Sequence, residues 1–167
     1  TTAYVALPLV ETDKAIILIQ EWWGLNDHIK DIAGRYASEG FIAIAPDLYR
    51  GKLARDPQEA GQMMQALALD DGIDTIKNAV AKAKEVYGIS GFGISGYCMG
   101  GTYSLGAACL SDDFAAAAPF YGDIPDDDLL KQLKTPVLFI SGTKDGWINQ
   151  EKVTHLMAVT EENNLPV

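Results

Sequence analysis

The segment Gly96-Tyr97-Cys98-Met99-Gly100-Gly101 constrains what this chain can fold into more than any other stretch of its sequence. It follows a short, glycine-interrupted apolar stretch over residues 89–95 that predicts a strand. It opens a run of small residues, Met99–Leu110, that predicts a helix. A strand that becomes a helix within one residue leaves almost no space beside the turn. The positions two before and two after the central residue must be nearly free of side chain, and Gly96 and Gly100 meet that demand. Gly101 lets the helix approach the sheet closely. A turn of this kind is a nucleophile elbow, which pushes the Cys98 sulfur over the sheet edge and aims a helix N-terminus at it. That arrangement is expected to favour thiolate, with the Met99 backbone N–H pointing where an oxyanion would form. The plainer reading, a small buried cysteine beside a glycine-rich crossover, does not require both glycines. It does fit Cys109, which lies among alanines with no glycine frame and reads as core.

The rest of the chain alternates between the two periods in the same way. Residues 15–20 (AIILIQ), 41–45 (FIAIA), 114–120 (FAAAAPF) and 137–141 (VLFIS) read as strands covered on both faces. Helices are expected from an Asn26 cap to about residue 39, with Gly40 as the stop, and over 57–69, 71–86, 129–133 and 150–162. The result is a single α/β domain over residues 1–167, with a mostly parallel sheet and helices on both faces. Chemistry in such sheets sits at the C-terminal ends of the strands, which directs attention to Glu21, Asp47, Cys98, Tyr121 and Asp145.

Composition removes several function classes. A formal net charge of −10 argues against nucleic acid, whose phosphates demand clustered Lys and Arg. No apolar run approaches the roughly 20 residues that a membrane helix needs. With two cysteines and no signal-peptide pattern at the N-terminus, the expected setting is reducing and cytoplasmic. Gly91, Gly93 and Gly96 spell G-x-G-x-x-G, but the first two fall inside the expected strand rather than in the turn after it, so a dinucleotide site is not expected. Cys98 and Cys109 have neither redox-pair nor metal-ligand spacing.

Three blocks now carry a resemblance: Gln20-Glu21-Trp22-Trp23-Gly24-Leu25-Asn26, Ala45-Pro46-Asp47-Leu48-Tyr49 and Gly96-Tyr97-Cys98-Met99-Gly100-Gly101. With Ser141-Gly142-Thr143-Lys144-Asp145 as a fourth, the sequence resembles the dienelactone hydrolase family of α/β-hydrolases. The pairing of Glu21 with a cysteine elbow is the specific part of the match, because generic esterases carry serine there and do not need that glutamate. The resemblance implies that Cys98 attacks a lactone or ester carbonyl and forms a thioester. It further implies that Asp145 orients a histidine and that Glu21 holds or accepts the thiol proton. The backbone N–H groups of Trp22 and Met99 would form the oxyanion hole. No metal or organic cofactor is implied, and the expected partner is a small ester or lactone. Asp47 is expected to brace its loop rather than react, and Trp22, Trp23 and Trp147 to wall an apolar pocket or pack in the core.

Two features depart from that family's pattern. A triad running nucleophile, acid, histidine needs a histidine beyond Asp145, and only His155 follows, in the middle of an expected helix. His28 precedes the nucleophile and reads as a surface or capping residue. The expectation is therefore a C-terminally truncated hydrolase domain, short of its last strand, last helix and catalytic histidine. The alternative function is an inactive domain that keeps the fold without the chemistry. The second departure is that residues 58–64 (QEAGQMM) lack the Arg and Tyr with which the family holds a substrate carboxylate. An uncharged or differently shaped ester or lactone is expected in place of dienelactone.

Overall fold

The computed structural model describes residues 2–167. In chain order its elements are β1 (Ala3–Ala6), β2 (Lys14–Ile19), α1 (Asp27–Ser38), β3 (Ile42–Pro46), α2 (Pro57–Ala66) and α3 (Leu69–Tyr87). They continue with β4 (Gly91–Tyr97), α4 (Met99–Leu110), β5 (Phe114–Phe120), α5 (Asp127–Leu130) and α6 (Gln150–Glu162). The five strands form one sheet in the order β1-β3-β2-β4-β5. All neighbours are parallel except the edge strand β1, which runs antiparallel to β3. No described helix is long and apolar enough to cross a membrane.

The apolar runs become buried strands because both faces of the sheet are covered. Leu18, Ala43 and Ala45 pack under Ile29 and Ala33 of α1 on one face. On the other, Ile17, Ile19, Ile44 and Ile94 share a core with Ile73, Ile76 and Val80 of α3, Leu105 of α4 and Leu156 of α6. Helix α4 is buried from Met99 through Cys109 apart from Thr102, which explains its small residues: larger side chains would hold it off the sheet. The expected caps form as read. The Asn26 side chain accepts from the Ile29 N–H at 3.1 Å, and Gly40 follows α1 with φ of 91°.

Two elements differ from expectation. Strand β1 carries no clear sequence signal, since a four-residue edge strand with half its residues exposed needs little apolar patterning. The segment over 137–141 runs parallel beside β5 but only through the isolated bridges Ala117–Val137 and Phe120–Ile140. Pro119 supplies the reason. The Leu138 and Ile140 N–H groups donate to Ala117 and Pro119 at 2.9 and 3.0 Å, but Pro119 has no N–H to return the intervening bond. Smaller shifts also trace to local bonding. Helix α5 starts at Asp127 because the Asp126 carboxylate caps the Leu129 N–H at 2.9 Å, and β4 runs on to Tyr97 because its ladder with β2 extends to Ile19–Gly96.

One buried side chain stands out. Gln20, directly after β2, is fully buried, and neither its amide N nor its amide O has a hydrogen-bond partner among the described residues. An orphaned buried amide costs about 1–3 kcal/mol. Gln20→Met keeps the chain length and removes both polar atoms, so the unfolding free energy is expected to rise by about 1 kcal/mol. The readout is a higher urea midpoint at unchanged slope. A lower midpoint would mean that the amide is hydrogen-bonded in solution.

Candidate active site

The turn between β4 and α4 is an elbow in its backbone as well as in its sequence. Cys98 has φ 55° and ψ −118°, a conformation that a non-glycine residue holds only where the surroundings impose it. Those surroundings are backbone. The Cys98 N–H donates to the Phe120 carbonyl at 3.0 Å, and the Cys98 carbonyl accepts from Gly101 and Thr102 at 2.9 and 3.2 Å. The glycines serve close approach: a methyl at Gly100 would stand 2.6 Å from the Gln20 carbonyl oxygen, and one at Gly96 would stand 2.7 Å from Ser104 Oγ. Gly91, Gly93 and Gly96 all lie within β4, so none forms a phosphate-binding turn.

The half-buried thiol of Cys98 has its pKa pushed up, first by burial and then by the negative charges of Glu21 and Asp145. The Met99 N–H, at the start of α4, pulls the other way and loses. The sequence reading expected the helix end to favour thiolate. In the folded protein desolvation and two carboxylates outweigh it, and the resting group is a neutral thiol. Cys109 is buried as expected, with its thiol pushed up to about 11 by burial alone.

Glu21 and Asp145 lie close enough to Cys98 for their charges to act on its thiol. Glu21 follows β2, in the turn closed by a Gly24 N–H to Glu21 carbonyl bond of 3.2 Å. One of its carboxylate oxygens, Oε1, accepts from the Tyr121 hydroxyl at 3.4 Å. Asp145 lies after the 137–141 segment, where its Oδ1 accepts the N–H groups of Trp147 and Ile148 at 2.8 and 3.0 Å. Tyr49 also flanks the thiol. Its hydroxyl donates to Met99 Sδ at 3.2 Å, and burial together with the nearby Tyr103 and Cys98 lifts its pKa to about 12. Asp47 braces its loop as expected, accepting from the Tyr49 N–H at 3.0 Å and the Gly51 N–H at 2.5 Å.

The tryptophans divide. Trp22 and Trp23 meet edge to face at 5.2 Å, with Trp22 against the core, while Trp147 is half exposed beneath the Lys152 ammonium. Neither histidine joins the cluster. His155 is exposed on α6 and bonded to Asp127 at 2.8 Å, and His28 is exposed in the first turn of α1. Among the described residues no group of three or more His, Cys, Asp or Glu side chains is arranged to hold a metal ion. The residue that sequence reasoning noted without giving it a role is Tyr121. Its signal is position alone, the first residue past β5.

Comparison with known proteins identifies the family and the fold. The family model described as dienelactone hydrolase family matches residues 1–167. The protein named usf from Aquifex pyrophilus is 37% identical over 163 residues, covering 91% of this chain and 70% of its own. A carboxymethylenebutenolidase of Pseudomonas sp. (strain P51) is 29% identical over 162 residues, covering 89% and 67%. Among solved structures, a protein of Klebsiella pneumoniae superposes with a TM-score of 0.89 at 26% identity, over 98% of this chain and 76% of that one. The fold is shared with a dienelactone hydrolase-like promiscuous phosphotriesterase from metagenomic libraries, at TM-score 0.82 and 21% identity, over 96% and 68%.

Proposed function

The chain belongs to the dienelactone hydrolase family of carboxylic ester hydrolases, and from that premise we propose that it attacks esters or lactones through a thioester on Cys98. The observation that carries the reading is the strained elbow at Cys98, with the Met99 N–H against the half-buried sulfur and the Glu21 carboxylate near enough to act on it.

In this account the resting thiol keeps its proton. Substrate excludes water and brings its carbonyl carbon to Cys98 Sγ. The thiol proton passes to Glu21 as the S–C bond forms, and the carbonyl oxygen becomes an oxyanion held by the Trp22 and Met99 N–H groups. Collapse breaks the ester C–O bond, the leaving alkoxide takes the proton back from Glu21, and the acyl group stays on sulfur. Hydrolysing that thioester needs a base for water. Asp145 is suited to orient a histidine for that purpose, but His155 is bonded to Asp127 and His28 is exposed in the first turn of α1. The 167-residue chain is therefore expected to give about one equivalent of leaving group per Cys98, followed by slow turnover. An inactive fold would give no burst.

The preferred substrate is uncharged. Two carboxylates flank the nucleophile, helix α2 carries no basic residue, and the nearby Arg55 is bonded to Glu59 at 2.9 Å through its backbone N–H and 3.0 Å through Nε.

Glu21→Gln tests the proton transfer, because it should move two reactions in opposite directions. Removing the charge lowers the Cys98 thiol pKa, so at pH 7 more thiolate is present and iodoacetamide labels Cys98 several-fold faster. Without a base to take the proton during attack, the ester burst slows by about 10²-fold. Rates that fall together, or that do not change, would remove Glu21 from this role.

A further inference from the structure

Tyr121 stands out among the strand-end residues because nothing in the thioester scheme uses it, yet the fold spends strain on it. It is a non-glycine residue with φ of 41°, half-buried, directly after β5. Its neighbours fix it from both sides. Its N–H donates to the Ile140 carbonyl at 2.6 Å, and the preceding carbonyl, that of Phe120, accepts the Cys98 N–H at 3.0 Å. The next residue, Gly122, packs so closely on the first turn of α4 that a methyl there would collide with Gly101 and Thr102. The backbone that aims the Tyr121 ring is thus tied to the elbow that aims the sulfur. The ring ends at Glu21: the hydroxyl donates to Oε1 at 3.4 Å, leaving Oε2 outside that bond.

We infer that Tyr121 is a positioning residue, whose phenol holds the Glu21 carboxylate in the orientation that receives the Cys98 proton. The inference rests on the proposed role of Glu21 and extends it. The donor is available at every working pH, because burial, with Glu21 and Cys98 adding to it, keeps the phenol protonated up to about 12. It also limits the rotamers of a side chain that otherwise hangs from a surface turn. The titratable groups that share this space are Cys98 and Tyr121, with Asp145 acting on the thiol and the thiol acting in turn on Tyr49.

The test is the p-nitrophenyl acetate burst of the full chain at pH 7, in wild type, Tyr121→Phe, Glu21→Gln and the double variant. Phenylalanine removes one oxygen and keeps the ring. The burst is expected to slow about tenfold in Tyr121→Phe. Added to Glu21→Gln, the same change should do almost nothing further, because the phenol acts only through that carboxylate. Slowing that multiplies in the double variant would overturn the inference and leave Tyr121 a packing residue. A wild-type protein with no burst at all would instead overturn the Cys98 reading on which it stands.

Discussion

Cys98→Ala is expected to abolish the ester burst, lowering the acylation rate by at least about 10³-fold, to the background of the solution reaction. The fold should survive, because the elbow is held by backbone bonds from Cys98 to Phe120, Gly101 and Thr102 that do not involve the sulfur. Cys98→Ser sharpens the result. It keeps the turn and the oxyanion donors, but a hydroxyl holds its proton far too tightly for a lone carboxylate to remove, so it too should fail to burst. Stopped-flow release of p-nitrophenol at pH 7 separates the three proteins. Retained burst in Cys98→Ala would assign the chemistry to another residue.

The second large effect concerns the glycine frame. In Gly100→Ala the new methyl meets the Gln20 carbonyl oxygen at 2.6 Å and the Ile19 carbonyl carbon at 2.8 Å, both backbone and neither able to yield cheaply. The loss is expected to reach about 3 kcal/mol, a large part of the 5–15 kcal/mol that typically holds a domain. Because the collision falls between β2 and α4, it would also separate Glu21 from Cys98, so burst and stability should fall together. Gly34→Ala is the contrast. Gly34 lies inside α1 with nothing within 4 Å of the added carbon, and alanine there should stabilise the protein by about 0.5–1 kcal/mol. Urea unfolding of both variants checks the pair, and equal effects would mean that the elbow is not tightly packed.

The sequence was most legible where one residue type is required by space. Gly96 and Gly100 could be read because no side chain fits beside that turn, and the helix over Met99–Leu110 because only small residues can lie so flat on a sheet. Caps at Asn26 and Gly40 were legible for similar local reasons. What could not be read depended on partners distant in sequence. The broken ladder at 137–141 follows from Pro119 in the neighbouring strand, and β1 from the open edge of β3. Electrostatics were hardest of all. The helix N-terminus argues for thiolate from sequence alone, but burial and the combined charges of Glu21 and Asp145 appear only once three separate loops meet. The Tyr121–Glu21 contact joins residues one hundred positions apart and has no motif to announce it.

The account depends on an acyl group reaching one sulfur. The most direct measurement is intact and peptide mass spectrometry of the 167-residue chain, quenched in acid seconds after mixing with p-nitrophenyl acetate. The account predicts one added acetyl group, located on Cys98 and removed by hydroxylamine, with Cys109 unmodified. Unmodified protein, or acetyl groups scattered over surface lysines at the same level in Cys98→Ala, would contradict it.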